Sequence, residues 1–336
     1  MPKAARATQQ LWVTVRKNQV AAARVLLRRG ANPNTRDEAR RTPSWVAAWH
    51  DLPDLVLLLR DHGADLNLAD ADGDAPLAAA ARNGSFDAAR AAIESGARLD
   101  RRNDDAQTAL WHAAHNGHLP VVKLLGVAGA DLGAADAAGR NPLWISAANG
   151  RGAVVAALLE LGADPTTPDA TGATCLHAAT LAGLPDVVGL LLRQNPPLLE
   201  TPDRDGRTPL WLAARDNNVD VARALLDHGA DKQKVALSGR TVLEIARARR
   251  HQPILDLFAT HKPPDTVTNL RRTSVPPFRA DHPAPSPTTI NSSEAPTHSY
   301  QAPSGTTTSL GGEEPPTRPV IKARAGVRIF DALPKM

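Results

Sequence analysis

One spacing constrains this chain more than any other feature. The stretch Thr108 to Asp131 reads TALWHAAHNGHLPVVKLLGVAGAD, and units like it open at Gln9, Thr42, Ala75, Thr108, Asn141, Thr174, Thr208 and Thr241, in steps of 33 with a single step of 34. A second marker keeps the same time: a closing glycine stands at Gly30, Gly63, Gly96, Gly129, Gly162 and Gly229, with Asn195 in the sixth unit. A unit this short cannot bury an apolar face by itself, so its copies must stack on one another into an elongated array.

The local chemistry of one unit predicts two short helices. Thr108 is an N-cap candidate, and Asn116-Gly117 ends the first helix where glycine accepts the left-handed conformation. Pro120 suits the first turn of the second helix, and Val121, Val122, Leu124 and Leu125 form its buried stripe. Gly129-Ala130-Asp131 then turns the chain into the next unit.

The period, the Thr208-Pro209-Leu210-Trp211-Leu212-Ala213-Ala214 opening and the Asp227-His228-Gly229-Ala230-Asp231 close resemble the ankyrin repeat, over about residues 9 to 262. The resemblance implies an all-α ankyrin-repeat solenoid of helix-turn-helix units with β-turn or hairpin fingers. It would occupy residues 1–262, with residues 1–41 and 241–262 as capping units. Residues 263–336 form a Pro/Ser/Thr-rich tail that holds 13 of the 28 prolines and is expected to be disordered.

Charge and cysteine usage narrow the classes of function. Residues 1–262 carry 31 lysines and arginines against 29 aspartates and glutamates, and residues 263–336 carry 8 against 6. Neither part is basic enough overall to expect nucleic acid as the partner. The single cysteine, Cys175, precludes an internal disulfide and reads as a buried, inert thiol. Met1 to Val20 lack the apolar run of a signal peptide and no segment is long and apolar enough to span a bilayer, so membrane insertion is not expected and a cytoplasmic or nuclear location is.

Along the array, Leu11, Trp12, Val15, Val25, Leu26 and Leu27 are the expected core of the first unit, with Arg16, Lys17, Arg24, Arg28 and Arg29 on its wet face. The small-residue first helix of the third unit, Ala78 to Ala81, predicts close packing. In the sixth unit Gln194-Asn195-Pro196-Pro197 replaces the Gly-Ala-Asp turn and predicts a loop of its own shape. The eighth unit sets Glu244, Arg247, Arg249, Arg250 and His251 around Leu243, Ile245, Leu255, Leu257 and Phe258, as a terminal cap should. In the tail, Arg271-Arg272-Thr273-Ser274 makes Ser274 a phosphorylation candidate, and the apolar residues between Val320 and Leu333 form a docking candidate.

His112, His115 and His118 stand three apart, but the expected helix end at Asn116-Gly117 separates the last from the others, so no metal is expected. Trp12, Trp45, Trp111, Trp144 and Trp211 fill one repeat position, with His177 in the sixth unit and Ala78 and Glu244 breaking the column. In ankyrin-like units this side chain packs between neighbours and hydrogen-bonds locally, which implies structure rather than base stacking.

Trp49 lies outside that column, at the end of a first helix, where the resemblance places groove residues. His50, Arg82, Asn83, His115, Asn116, Asn149, Leu181, Arg215 and Asp216 fall at equivalent places, and Trp49 is the best single contact candidate because tryptophan and arginine are enriched among binding hot spots. The expected finger tips carry Arg41, Asp72, Asp74, Asp104, Asp105, Arg140, Arg204, Asp205 and Arg207, a mixed set that favours a protein partner over a polyanion. No phosphate-binding loop, zinc-protease helix or nucleophile elbow occurs, so neither catalysis, nor a cofactor, nor a small-molecule substrate is expected. The expected function is that of a monomeric, non-catalytic scaffold or adaptor binding a partner protein. A nuclear or nucleic-acid-associated regulator and a ubiquitin-ligase substrate adaptor are the alternatives.

Overall fold

The computed structural model describes residues 3 to 261, which form eight helix pairs. The first helices of successive units are α1 (Lys3–Arg16), α3 (Pro43–Trp49), α5 (Pro76–Asn83), α7 (Ala109–Asn116), α9 (Pro142–Ala148), α11 (Cys175–Leu181), α13 (Pro209–Arg215) and α15 (Val242–Ala248). Their antiparallel partners are α2 (Val20–Arg28), α4 (Pro53–Asp61), α6 (Phe86–Glu94), α8 (Leu119–Val127), α10 (Gly152–Glu160), α12 (Pro185–Gln194), α14 (Val219–Asp227) and α16 (Gln252–Thr260). Each first helix packs on the first helix of the next unit, and each second helix on the next second helix, so the core runs unbroken through the described residues. The tail, with Ser274 and the 320–333 segment, lies outside the described residues.

The sequence explains why the helices start and stop where they do. Thr42, Thr108 and Thr208 accept the backbone N–H three residues on through their hydroxyls, at 3.1, 3.2 and 3.4 Å, and Asn141 does so through its carboxamide oxygen at 2.8 Å. Pro43, Pro76, Pro142 and Pro209 open their helices, where no N–H is needed. Gly84 and Gly117 close α5 and α7 in the left-handed conformation. Ala78 to Ala81 are all buried, and α5 lies tightly between α3 and α7.

Fingers project between units and are held by a repeated aspartate or asparagine. Asp70 Oδ1 accepts the N–H groups of Asp72 and Asp74, at 3.0 and 2.9 Å, and Asn103, Asp136, Asp169 and Asp203 make the same pair of bonds in later fingers. Each finger then donates one N–H to the preceding finger: Ala71 to Ala39, Asp104 to Asp72, Ala137 to Asp105, Ala170 to Ala138, Arg204 to Thr171 and Leu237 to Asp205.

Four expectations need correction. Gln9 does not open a helix: α1 runs straight through it from Lys3, and no described finger precedes it to turn the chain there. Val25 is 46% exposed. The same column is buried at Leu58, Ala91 and Ala157 and partly buried at Leu124, Leu190 and Ala224, whereas no described repeat precedes α2 to cover Val25. Leu124 is only half-buried, leaving Val121, Val122 and Leu125 as the core of α8. Asp74 is not at a finger tip; it is 1% exposed. The sixth-unit loop does take its own shape, a 3-10 turn over Pro196–Glu200 that sinks Leu198 fully into the core.

Candidate functional site

A groove of about 770 Å³ lies where α3, α5 and the first two fingers meet the end of α1. Trp45 and Trp49 sit one turn apart on α3, and their rings stack in parallel, 5.4 Å between centroids. Around them stand Arg16, Arg41, His50, Asp70, Asp72 and Arg82. The Arg41 guanidinium lies 5.4 Å from the Trp45 ring centre and is held by Asp37 at 2.8 Å. Arg82 reaches Asp74 at 3.2 Å, and half of its side chain stays exposed.

Trp45 differs from the tryptophans that follow it in its column. Trp111 donates its indole N–H to the Arg140 carbonyl, Trp144 to Ala173 and Trp211 to Arg240, at 3.1 to 3.2 Å, and His177 Nε2 meets Arg207 at 3.1 Å. These side chains stitch each first helix to the next finger. Trp45 is buried, yet its indole N–H has no hydrogen-bond partner among the described residues. A shielded donor without an acceptor carries a free-energy cost.

The structure brings Trp49, His50 and Arg82 to this one groove, while the other sequence candidates follow along later units. Several are engaged in holding the stack. The Asn83 carboxamide donates to the Trp49 carbonyl at 2.8 Å, and that of Asn116 to the Arg82 carbonyl at 2.9 Å, so each satisfies an end carbonyl of the preceding first helix. Asn149 turns back to Ile145 of its own helix, His115 stacks on Trp111 at 5.2 Å, and Leu181 is exposed. Arg215 is clamped by Asp216 at 2.6 Å, a bond that raises its already high pKa. Arg140 pairs with Asp136 at 2.7 Å, and Arg207 with both Asp203 and Asp205.

Sequence reasoning missed a buried polar cluster behind the groove. Asp74 receives His112 Nε2 at 3.2 Å, the Asn103 carboxamide at 2.8 Å and Arg82. Burial alone would push its carboxyl up, but the His112 hydrogen bond and charge, with Asn103 and Arg82, hold it below the ordinary value. Asp70 has no such donors to its carboxylate beyond backbone N–H groups, and burial raises it. The available signal was the Asp/Asn column at 37, 70, 103, 136, 169 and 203, with an arginine four residues on at Arg41, Arg140 and Arg207 but Asp74 in the third unit.

The three spaced histidines go to separate partners: His112 to Asp74, His115 to Asn116 Oδ1 at 3.1 Å, and His118 to the Arg82 carbonyl at 3.2 Å. Cys175 is buried, its Sγ 3.3 Å from the Pro165 carbonyl, and burial pushes its thiol up to about 12, so no thiolate forms near neutrality. Among the described residues no helix is long and apolar enough to cross a membrane.

Comparison with known proteins adds the family. The chain is 37% identical to human Rabankyrin-5 over 76 residues, which is 22% of this chain and 6% of that protein. It is 35% identical over 71 residues to the serine/threonine-protein kinase VIK of Arabidopsis thaliana, 21% of this chain and 16% of the kinase. The chain thus spans only a small fraction of either relative. The family model for ankyrin repeats in three copies matches residues 45–136, 77–169, 127–200 and 176–269, together more than half of the 336 residues. With eight stacked helix pairs, fingers between them and the 33-residue period behind both, the chain belongs to the ankyrin-repeat family.

Proposed function

We propose that this chain is a non-catalytic protein-interaction scaffold or adaptor that takes a partner protein in the groove between the first helices and the fingers. Ankyrin repeats generally mediate protein–protein interactions, which sets the class. The observation that carries the reading is the parallel Trp45–Trp49 pair in a 770 Å³ groove flanked by Arg16, Arg82 and His50. Tryptophan and arginine at the centre of a concave surface are the residue types that supply most binding energy. Because the stacked helices hold them in place, little ordering cost falls on binding. In this reading the protein acts as a monomer in the cytoplasm or nucleus, the solenoid extends through residue 262, and residues 263–336 engage a second partner or carry modification at Ser274.

The test is affinity capture from native extract with the full chain, followed by titration of the captured protein against the Trp49→Ala/Arg82→Ala variant. The expected result is a specific partner whose affinity falls by roughly a hundredfold in the double variant, as two hot-spot truncations imply. Unchanged affinity in a variant that keeps its thermal midpoint would move the binding surface elsewhere.

A further inference from the structure

A second groove, separate from the tryptophan pair, is lined by four arginines. Arg36 and Arg40 come from the finger before α3, and Arg98 and Arg101 from the loop after α6; Asp65, Asn67, Leu68 and Ala69 complete a space of about 370 Å³. The arginines of the neighbouring groove, Arg41 and Arg82, are matched to carboxylates, as Arg140 and Arg207 are in later units. Among the described residues, none of these four has a carboxylate within ion-pair distance. The Nε of Arg101 is shielded from water and has no hydrogen-bond partner there. The setting is basic as well: the first 41 residues hold ten lysines and arginines and two acidic residues.

Two of the four stand where the repeat prefers a different residue. Arg40 has φ +59, in a column that is glycine at 73, 139, 172, 206 and 239 and alanine, at φ +62, at 106. At four of those glycines an added Cβ would come within 2.7 or 2.8 Å of the next finger's backbone nitrogen. A long side chain at this position is therefore strained, and backbone strain of this kind concentrates at functional positions. Arg98 replaces the last residue of the Gly-Ala-Asp turn. At Asp65, Asp131, Asp164 and Asp231 that carboxylate accepts the N–H two residues on, and Arg98 cannot. Both positions give up a local stabilising feature and gain a positive charge facing the same space.

We propose that this groove binds a phosphorylated serine or threonine on a partner protein. Guanidiniums gathered along one groove, each able to give paired N–H bonds to oxygen, match a phosphoryl group that carries nearly two charges and three acceptor oxygens. A carboxylate would neutralise at most one of them. The small volume, about 370 Å³, suits one phosphoryl group with its flanking residues better than a run of several backbone phosphates. The proposal is independent of the partner reading for the tryptophan groove.

The experiment uses the full chain and an immobilised degenerate peptide library with a central phosphoserine or phosphothreonine, alongside the same library unphosphorylated. Single-stranded RNA and vesicles containing phosphoinositide serve as separate arms. The variants are Arg40→Gly and Arg98→Asp, which restore the residues other units use and so should leave the thermal midpoint unchanged or raised. The expected result is phosphate-dependent binding that weakens at least about tenfold in each variant, the scale of one lost charge-assisted contact. Equal binding to both libraries, or binding untouched by both variants, overturns the proposal. RNA or vesicles bound through these arginines while phosphopeptides are not would overturn it too.

Discussion

Asp74 offers the sharpest test of how the third and fourth units are joined. It is 1% exposed and accepts from His112 and Asn103, both of which lie in the next unit. Asp74→Ala leaves the buried imidazole with only a long 3.4 Å approach to Asn103, and leaves that carboxamide with Gln107 at 3.3 Å. Orphaning buried donors costs about 1–3 kcal/mol each, and removing one side of a buried charged pair about 3–5. Relief of repulsion from Asp70 offsets part of this, and half-exposed Arg82 adds little. The expected loss is about 2–4 kcal/mol, with Asp74→Asn in between because it keeps one acceptor oxygen. Asp72, exposed on the same finger, should change stability by less than about 0.5 kcal/mol when replaced by Asn. Urea unfolding measures the totals, and hydrogen exchange over residues 70–83 and 103–116 locates them. Because the Asp74 carboxyl is held below its ordinary 3.8, its stabilisation is present above that pH and lost as pH falls through the lowered value. The alanine variant should therefore lose less stability than the parent below about pH 4. A loss under 0.5 kcal/mol, or protection lost evenly along the array, would refute the cluster's role as an inter-unit joint.

Other outcomes follow from single positions. His177 is kept neutral by burial, which places its pKa below 6.5, so stability is present above that value and falls as pH drops through the lowered one; His177→Trp, the residue of five other units, should flatten this part of the stability–pH curve measured by thermal unfolding. Gly139→Ala should cost about 1–3 kcal/mol, because φ is +80 and the new Cβ would meet the Ala170 nitrogen at 2.7 Å. Gly129→Ala, at φ +91 with nothing within 4 Å, should cost only about 1 kcal/mol, and equal costs at both would contradict the crowding argument. Leu198→Ala empties a fully buried site in the 3-10 turn and should cost about 2–5 kcal/mol, with hydrogen exchange rising between α12 and α13.

The repeat was legible because its signals are local and recur. Caps at Thr42, Thr108, Asn141 and Thr208, turn glycines at Gly84 and Gly117, and an apolar stripe such as Val121, Val122 and Leu125 depend on neighbours in sequence, so the helix pairs could be read from one unit. What was not legible depends on which unit lies next door. Val25 and Leu58 share a column, and only the second has a described repeat before it. Asp74 looks like any finger aspartate until His112, 38 residues away, is folded against it. In the groove, the positions of Trp49 and Arg82 followed from register, whereas the stacking of Trp49 on Trp45 and the unmatched Trp45 N–H needed coordinates. The arginine groove was hidden by summing charge over 262 residues, which averages a basic beginning against an acidic middle.

The chain of single hydrogen bonds from finger to finger has a mechanical consequence. Each finger hangs on its predecessor by one backbone N–H, from Ala71 through to Leu237, while the helices behind it are joined by broad apolar contact. Tension along the array is thus carried in series, through the finger latches, the side-chain bonds beside them and the apolar interfaces behind. Such an assembly yields link by link under load instead of snapping as a whole, because each unit's stability is borrowed mainly from its two neighbours. The 34-residue step at the sixth unit does not break the series: Arg204 still reaches the Thr171 carbonyl at 3.1 Å, and the extra residue is taken up in the 3-10 turn behind the latch.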